Sequence, residues 1–179
     1  MVKDIKEVLL TEEQILDRVK EIGSGISKDY EGKDLLVVGI LKGSVLFASD
    51  LIKNITIPCE IDFMAVSSYG TSTETSGVVR ILKDLDHSIE GKDIIIVEDI
   101  IDSGITLDYL LKYLRARKAN SIEIVTLLTK PARRKVDIDV KYCGFEIPDE
   151  FLVGYGLDYA EKYRNLPYVG ILKEEVYKK

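Results

Sequence analysis

Apolar positions along the chain follow two rhythms, one helical and one extended, and the two alternate. In "LTEEQILDRVKEIGSGISKDY", Thr11 is followed three residues later by Gln14, the capping-box pattern, and Ile15, Val19 and Ile22 then recur at helical spacing, which predicts an amphipathic N-terminal helix. "DLLVVGI" is short, nearly all apolar and ended by "LKGS", as in a strand buried on both faces. A helical pattern, "VLFASDLIKNI", and a strand of alternating character, "EIDFMAV", complete a strand, helix, strand unit. After the small-residue segment "SSYGTSTETSG", which has no apolar periodicity, the extended rhythm returns in "VVRIL" and "DIIIV". The helix "LDYLLKYLRAR" and the strand "SIEIVTLLTK" follow.

Apolar strands separated by helices predict an α/β fold: a central, mostly parallel sheet flanked by helices. Beyond Pro131 the pattern changes to short strand-like pieces, "VKYCGFEI", "FLVGYG" and "YVGIL", joined by polar turns and expected to form a small lobe on the same sheet. No internal repeat or interdomain linker is visible, so residues 1–179 are expected to form a single domain. A chain of 179 residues is long enough for one sizeable core.

Composition narrows the chemistry. With 31 acidic against 25 basic residues and a net charge of −6, a broad electrostatic grip on nucleic acid has no support. Cys59 and Cys143 are far apart and form no CxxC, which favours reduced packing thiols over zinc or a redox dithiol. The N-terminus "MVKDIKEVLL" has charges throughout, and no window reaches eighteen apolar residues, so neither a signal peptide nor a membrane span is expected and the reading is cytoplasmic. His87 is the single histidine and lies in a polar turn, which argues against Ser-His-Asp or Cys-His nucleophiles and excludes a multi-histidine metal site. Any chemistry therefore falls to carboxylates, lysines, backbone amides and a hard cation.

The stretch with the densest chemistry is "IIIVEDIIDSGIT". A buried strand stops at Glu98 and Asp99, adds Asp102, and turns small and hydroxylated. In open α/β sheets ligands bind beyond the carboxyl ends of the strands, where helix N-termini offer free N–H groups to anions. Both "LKG" and this stretch are expected at that edge. The amides and hydroxyls of Ser103 to Thr106 suit a phosphate, with Gly104 permitting the tight turn. Glu98 and Asp99 suit a sugar diol or a hydrated Mg²⁺ held through water. Taken singly, Asp102 or Ser103 would read as an N-cap and the two acids as a solvated strand end. Together, after a buried strand, they describe a ribose phosphate pocket. Neither GxxxxGK[ST] nor a GxGxxG after a strand occurs.

"VEDIIDSGIT" resembles the phosphoribosyl pyrophosphate (PRPP) motif of type I phosphoribosyltransferases, and an acid at Asp102 is similar to the hypoxanthine-guanine branch of that family. The resemblance covers most of the chain. "GILKGS" matches the family's pyrophosphate loop and "SSYG" opens its flexible catalytic loop. "LLTKP" carries its purine-reading lysine, and "FLVGYGLDYAEKYRNLP" matches its base-binding and second magnesium segment. The family's fold adds a small hood, here expected from the N-terminal segment and roughly residues 140–179.

The resemblance implies a purine salvage enzyme that transfers the 5-phosphoribosyl group from PRPP to hypoxanthine or guanine, giving IMP or GMP and pyrophosphate. Glu98 and Asp99 would bind the ribose hydroxyls, directly or through Mg²⁺, and Asp102, Ser103, Gly104, Ile105 and Thr106 would form the 5′-phosphate loop. Leu41, Lys42 and Gly43, whose Leu41–Lys42 peptide is often cis in this family, would meet the pyrophosphate with Arg164. Ser68 and Tyr69, on a lid spanning Ser68 to Gly77, would join them. Lys130 would donate to the purine 6-oxygen, Phe151 would stack on the ring, Leu152 would offer backbone contacts, and Asp158 would serve a second Mg²⁺. Asp102 would take the N7 proton. A homodimer or homotetramer is expected, with no nucleic-acid or membrane partner. A pyrimidine-operon type of RNA-binding regulator is the alternative of a different class, and xanthine, adenine or orotate transferases are alternatives within the family.

Overall fold

The computed structural model describes residues 1–68 and 79–178. It begins with a strand that periodicity did not predict, β1 (Ile5–Leu10). The capping box then forms as its spacing requires: Thr11 Oγ1 accepts from the Gln14 amide at 3.2 Å, and Gln14 Oε1 from the Thr11 amide at 2.9 Å. It opens α1 (Glu12–Asp29), whose Ile15, Val19, Ile22 and Ile26 are buried. Next come β2 (Leu35–Leu41), α2 (Val45–Lys53), β3 (Glu60–Ser68), β4 (Val79–Lys83), β5 (Asp93–Ile101), α3 (Ile105–Arg115), β6 (Ser121–Thr129) and β7 (Tyr142–Glu146). The chain ends with β8 (Leu152–Val153), β9 (Val169–Leu172) and a single turn, α4 (Glu174–Tyr177).

Six strands form one sheet in the order β4-β3-β2-β5-β6-β7, parallel except for the antiparallel edge strand β4. Alternate residues of the central strands serve opposite faces. Leu35 and Val37 of β2, with Ile95 and Val97 of β5, pack under α1 and α2. Leu36, Val38 and Ile40, with Ile94 and Ile96, pack against Leu107, Leu110, Leu111 and Leu114 of α3. Burial on both faces is why these strands read as unbroken apolar runs.

The chain leaves β2 toward β3 on one side and leaves β5 toward β6 on the other, so the order reverses between β2 and β5. Their carboxyl ends diverge there and open a crevice, the place where ligands bind in sheets of this kind. A second sheet, β1-β9-β8, is built from the N-terminal strand and the last thirty or so residues. It has a small core of its own around Val153, Tyr163, Leu166 and Leu172. Tyr142–Glu146, grouped by sequence with the small lobe, instead pairs parallel with β6 at the edge of the large sheet. Among the described residues no helix is long and apolar enough to cross a membrane, and Cys59 and Cys143 are free.

Candidate active site

At the end of β5 the strand's own alternation separates two neighbouring acids. Ile94 and Ile96 face α3, and Glu98 continues that parity into a cavity of about 140 Å³ with Ile100, Ile101, Asp102, Ser103, Gly104, Thr106 and Leu107 on its walls. Asp99 follows Ile95 and Val97 to the other face, where its carboxylate abuts Gly43 so closely that a Cβ at that position would collide with Asp99 Oδ2. One dipeptide thus reaches the loop before α3 with one carboxylate and the Leu41–Gly43 loop with the other. Burial pushes the Glu98 carboxyl well above the usual range, and the charge of Asp99 adds to the effect. Asp99 is pushed up to about 6, chiefly by burial, against the opposing pull of backbone N–H bonds and Arg164.

The Asp102–Thr106 loop is shaped by Gly104, which has φ +82° and is the N-cap of α3. The N-cap position itself offers no side-chain cap, and beyond the Ile105 amide, which Ser103 Oγ engages, the amides of the first turn remain for an anion. The helix starts two residues before the predicted Leu107. Ser103 Oγ lies 3.4 Å from the Ile105 amide, and the Ser103 carbonyl accepts from Lys135 at 3.0 Å. Ile138, Val136 and Arg134 pack directly beneath Gly104.

Ile100 and Asp102 also belong to a second cavity, of about 180 Å³, with Lys130, Arg133, Phe151, Leu152 and Leu157. Lys130 is only 7% exposed, which a lysine tolerates when its head is held: Nζ donates to the Glu150 carbonyl at 2.7 Å and lies 3.5 Å from Asp149 Oδ1. Phe151 stacks with Tyr177 and meets Tyr159 edge-on. Arg133 Nε is 3.1 Å from Asp102 Oδ1. Yet among the described residues no donor is aligned to hydrogen-bond that buried oxygen.

The third group lies over the Leu41–Gly43 loop, where the Leu41–Lys42 peptide is cis. Gly156, at φ +99° and without a Cβ, lies directly against the Gly43 carbonyl, and the segment after it carries Asp158 and Arg164 to the same place. Arg164 donates to the Gly156 carbonyl at 2.7 Å and pairs with Asp158 at 2.9 Å. Lys42 Nζ reaches Glu161 Oε2 at 2.8 Å.

The crevice therefore gathers Glu98, Asp99, Asp102 to Thr106, Leu41 to Gly43, Lys130, Phe151, Leu152, Asp158 and Arg164 from five separate segments. Tyr69, and with it the lid expected to run to Gly77, lies outside the described residues, as does the side chain of Ser68. Sequence reasoning missed Arg133, Asp149 and any link from Glu161 to Lys42. "KPARRK" gives no signal of which arginine turns inward, and Glu161 reads as an ordinary surface acid.

A glycine-shaped loop at a helix start, a paired-acid strand end and a lysine-bearing cavity thus meet at one switch point of an α/β sheet. Over residues 7–160 the sequence matches the phosphoribosyl transferase domain family, and the chain belongs to it. In particular, it is 61% identical to the hypoxanthine-guanine phosphoribosyltransferase of Staphylococcus aureus (strain Mu50 / ATCC 700699) over 99% of both chains. It is 58% identical to the enzyme of that name from Bacillus subtilis (strain 168), over 99% of this chain and 98% of the relative. The crystal structure of a hypoxanthine phosphoribosyltransferase from Staphylococcus aureus (tetragonal space group) matches with a TM-score of 0.97 and 60% identity, covering 100% of this chain and 97% of that one.

Proposed function

We propose that the chain transfers the 5-phosphoribosyl group from PRPP to N9 of hypoxanthine or guanine, releasing pyrophosphate and forming IMP or GMP. The observation that carries this reading is the pair of adjoining cavities that share Ile100 and Asp102 as a common wall. One has the amides of a helix N-terminus for a phosphate; the other has a buried lysine and an aromatic ring for a base. A nucleoside monophosphate spans that arrangement, with its ribose beside Glu98 and Asp99.

In the reaction the C1′–O bond to pyrophosphate breaks and the C1′–N9 bond forms, while the base gives up a ring proton. Positive character grows on the ribose and negative charge on the departing pyrophosphate, so stabilisation belongs at the leaving group. Lys42 and Arg164 supply it, and the Leu41–Gly43 loop orients it. Lys130 donates to the 6-oxygen, Phe151 stacks on the ring, and Leu152 offers its backbone to the base edge. Asp102 accepts the N7 proton. Its Oδ1 lies 3.1 Å from Arg133 Nε with no hydrogen bond aligned to it, which leaves that oxygen able to accept from N7–H.

The residues present fit Mg²⁺. Glu98 and Asp99 put their carboxylates on opposite faces of β5, so each would hold a hydrated ion on its own side, directly or through water. Among the described residues no three acidic, histidine or cysteine side chains converge on one point. Mg²⁺ needs no such cage, because it keeps several waters and is commonly held by one or two carboxylates together with substrate phosphates. Asp158 would serve a second ion. When bound, magnesium would supply further positive charge to the leaving pyrophosphate.

Ser68 and Tyr69 would reach the diphosphate from the lid. The assembly we expect is a homodimer or homotetramer. We read the enzyme as cytoplasmic, where its free thiols stay reduced. The test is chromatographic detection of IMP from hypoxanthine and PRPP, with Mg²⁺ and with excess EDTA. IMP is expected only with the metal; full turnover in EDTA contradicts the magnesium requirement, and no IMP in either contradicts the activity.

A further inference from the structure

Lys42 and Arg164 come from distant parts of the chain, yet one side chain touches both. Glu161 Oε2 accepts from Lys42 Nζ at 2.8 Å, and Glu161 Oε1 accepts from Arg164 Nη2 at 3.3 Å. One carboxylate thus places one oxygen on each of the two cations assigned above to the diphosphate.

The backbone beneath it is unusual. Ala160 and Glu161 have φ +50° and +61°, and Tyr159 and Lys162 exchange backbone hydrogen bonds at 3.1 and 3.0 Å on either side of them. This is a two-residue turn with both central residues left-handed, a geometry usually filled by Asn-Gly and disfavoured for residues bearing a Cβ. Asp158 Oδ2 steadies the turn by accepting from the Glu161 amide at 2.9 Å. Glycine would suit the backbone of position 161 better than glutamate, so the side chain is the reason to look for a use. Stability is a poor one. Lys42 and Glu161 are 67% and 64% exposed, and exposed ion pairs contribute little to folding.

We infer that Glu161 is an internal stand-in for the diphosphate. In the empty site it holds Lys42 and Arg164 together, and PRPP or pyrophosphate binds by displacing its carboxylate from both. When pyrophosphate leaves, the carboxylate returns to the two cations and competes with rebinding. Glu161 is in this sense a positioning residue that weakens the hold on both diphosphates and favours product release. The inference rests on the assignment of Lys42 and Arg164 to the diphosphate.

It is tested by titrating inorganic pyrophosphate, with Mg²⁺, into the wild type, Glu161→Gln and Lys42→Ala, followed calorimetrically. Glu161→Gln keeps the backbone and removes the competing charge at an exposed position. It is expected to bind pyrophosphate about three- to tenfold more tightly and to lower KM for PRPP in parallel. Loss of a merely structural contact would loosen the site instead, so the sign decides: unchanged or weaker binding by Glu161→Gln overturns the inference. Lys42→Ala is expected to bind more weakly than the wild type. If it binds equally well, or the wild type does not bind pyrophosphate, the diphosphate assignment falls and takes the inference with it.

Discussion

Asp102 lines both cavities and keeps a buried oxygen beside Arg133 without a hydrogen bond from it. A carboxylate at a phosphate loop repels its ligand, so its presence points to a gain at the base. Asp102→Asn keeps the shape but cannot take a proton. It is expected to slow single-turnover nucleotide formation at saturating PRPP by about 10²- to 10⁴-fold, with PRPP affinity near normal. An unchanged chemical rate would restrict Asp102 to orienting the purine. Lys130→Ala removes the donor we propose for the 6-oxygen, a contact with a typical cost of about 1 to 3 kcal/mol when lost. Selection of 6-oxopurines is therefore expected to suffer more than PRPP binding, as measured by KM for each substrate; a loss confined to PRPP would overturn the role. At this scale the sequence was legible where residue types are unusual for their setting, as with three acids at a strand end. It was silent on Arg133 and Asp149, because their roles depend on which way a polar side chain turns.

Two elements do most of the positioning. The β5 strand sends Glu98 to the cavity at the start of α3 and Asp99 to the Leu41–Gly43 loop, and the first turn of α3 is the phosphate site we propose. The apolar run "DIIIV" announced a buried strand, but a strand buried on both faces has no visible parity, so which acid served which loop was not legible. Burial of both acids carries a pH consequence. Asp99 is pushed up to about 6, above the ordinary carboxylate near 4, and Glu98 is raised as well. The folded state therefore holds these protons more tightly than the unfolded one. The resulting stabilisation is full below about pH 4 and is lost as pH rises through about 6. In scanning calorimetry without metal, Asp99→Asn is expected to lack part of the wild type's fall in thermal midpoint across that window. Equal pH slopes for the two proteins would contradict the raised pKa. The start of α3 depends on Gly104, where an added Cβ would lie 2.8 Å from Ile138 Cδ1 and 3.0 Å from Val136 Cγ2 on a left-handed backbone. Gly104→Ala is expected to cost roughly 1 to 3 kcal/mol in chemical denaturation and to weaken IMP binding; unaltered stability and affinity would mean that the loop tolerates another shape.

At the scale of the molecule, periodicity recovered the large sheet and its flanking helices, because their apolar stretches are long and buried. It recovered the second sheet less well. β1 carries charges and finds its partner, β9, at the far end of the chain, a pairing that local pattern cannot show. β7 was grouped with the small lobe because a short strand at a sheet edge looks like any other short strand. What the whole architecture achieves is to hold the Asp102–Thr106 loop, a paired-acid strand end and the Lys130 cavity around one reversal of strand order, the arrangement in which we propose that PRPP and a 6-oxopurine meet at Asp102. The direct test is competition: hypoxanthine, guanine, xanthine, adenine and orotate supplied together with limiting PRPP and Mg²⁺, and the nucleotides separated and quantified. The account predicts that IMP and GMP dominate, with little AMP or orotidine monophosphate. A product mixture dominated by either of the latter two, or PRPP left unconsumed, would contradict it.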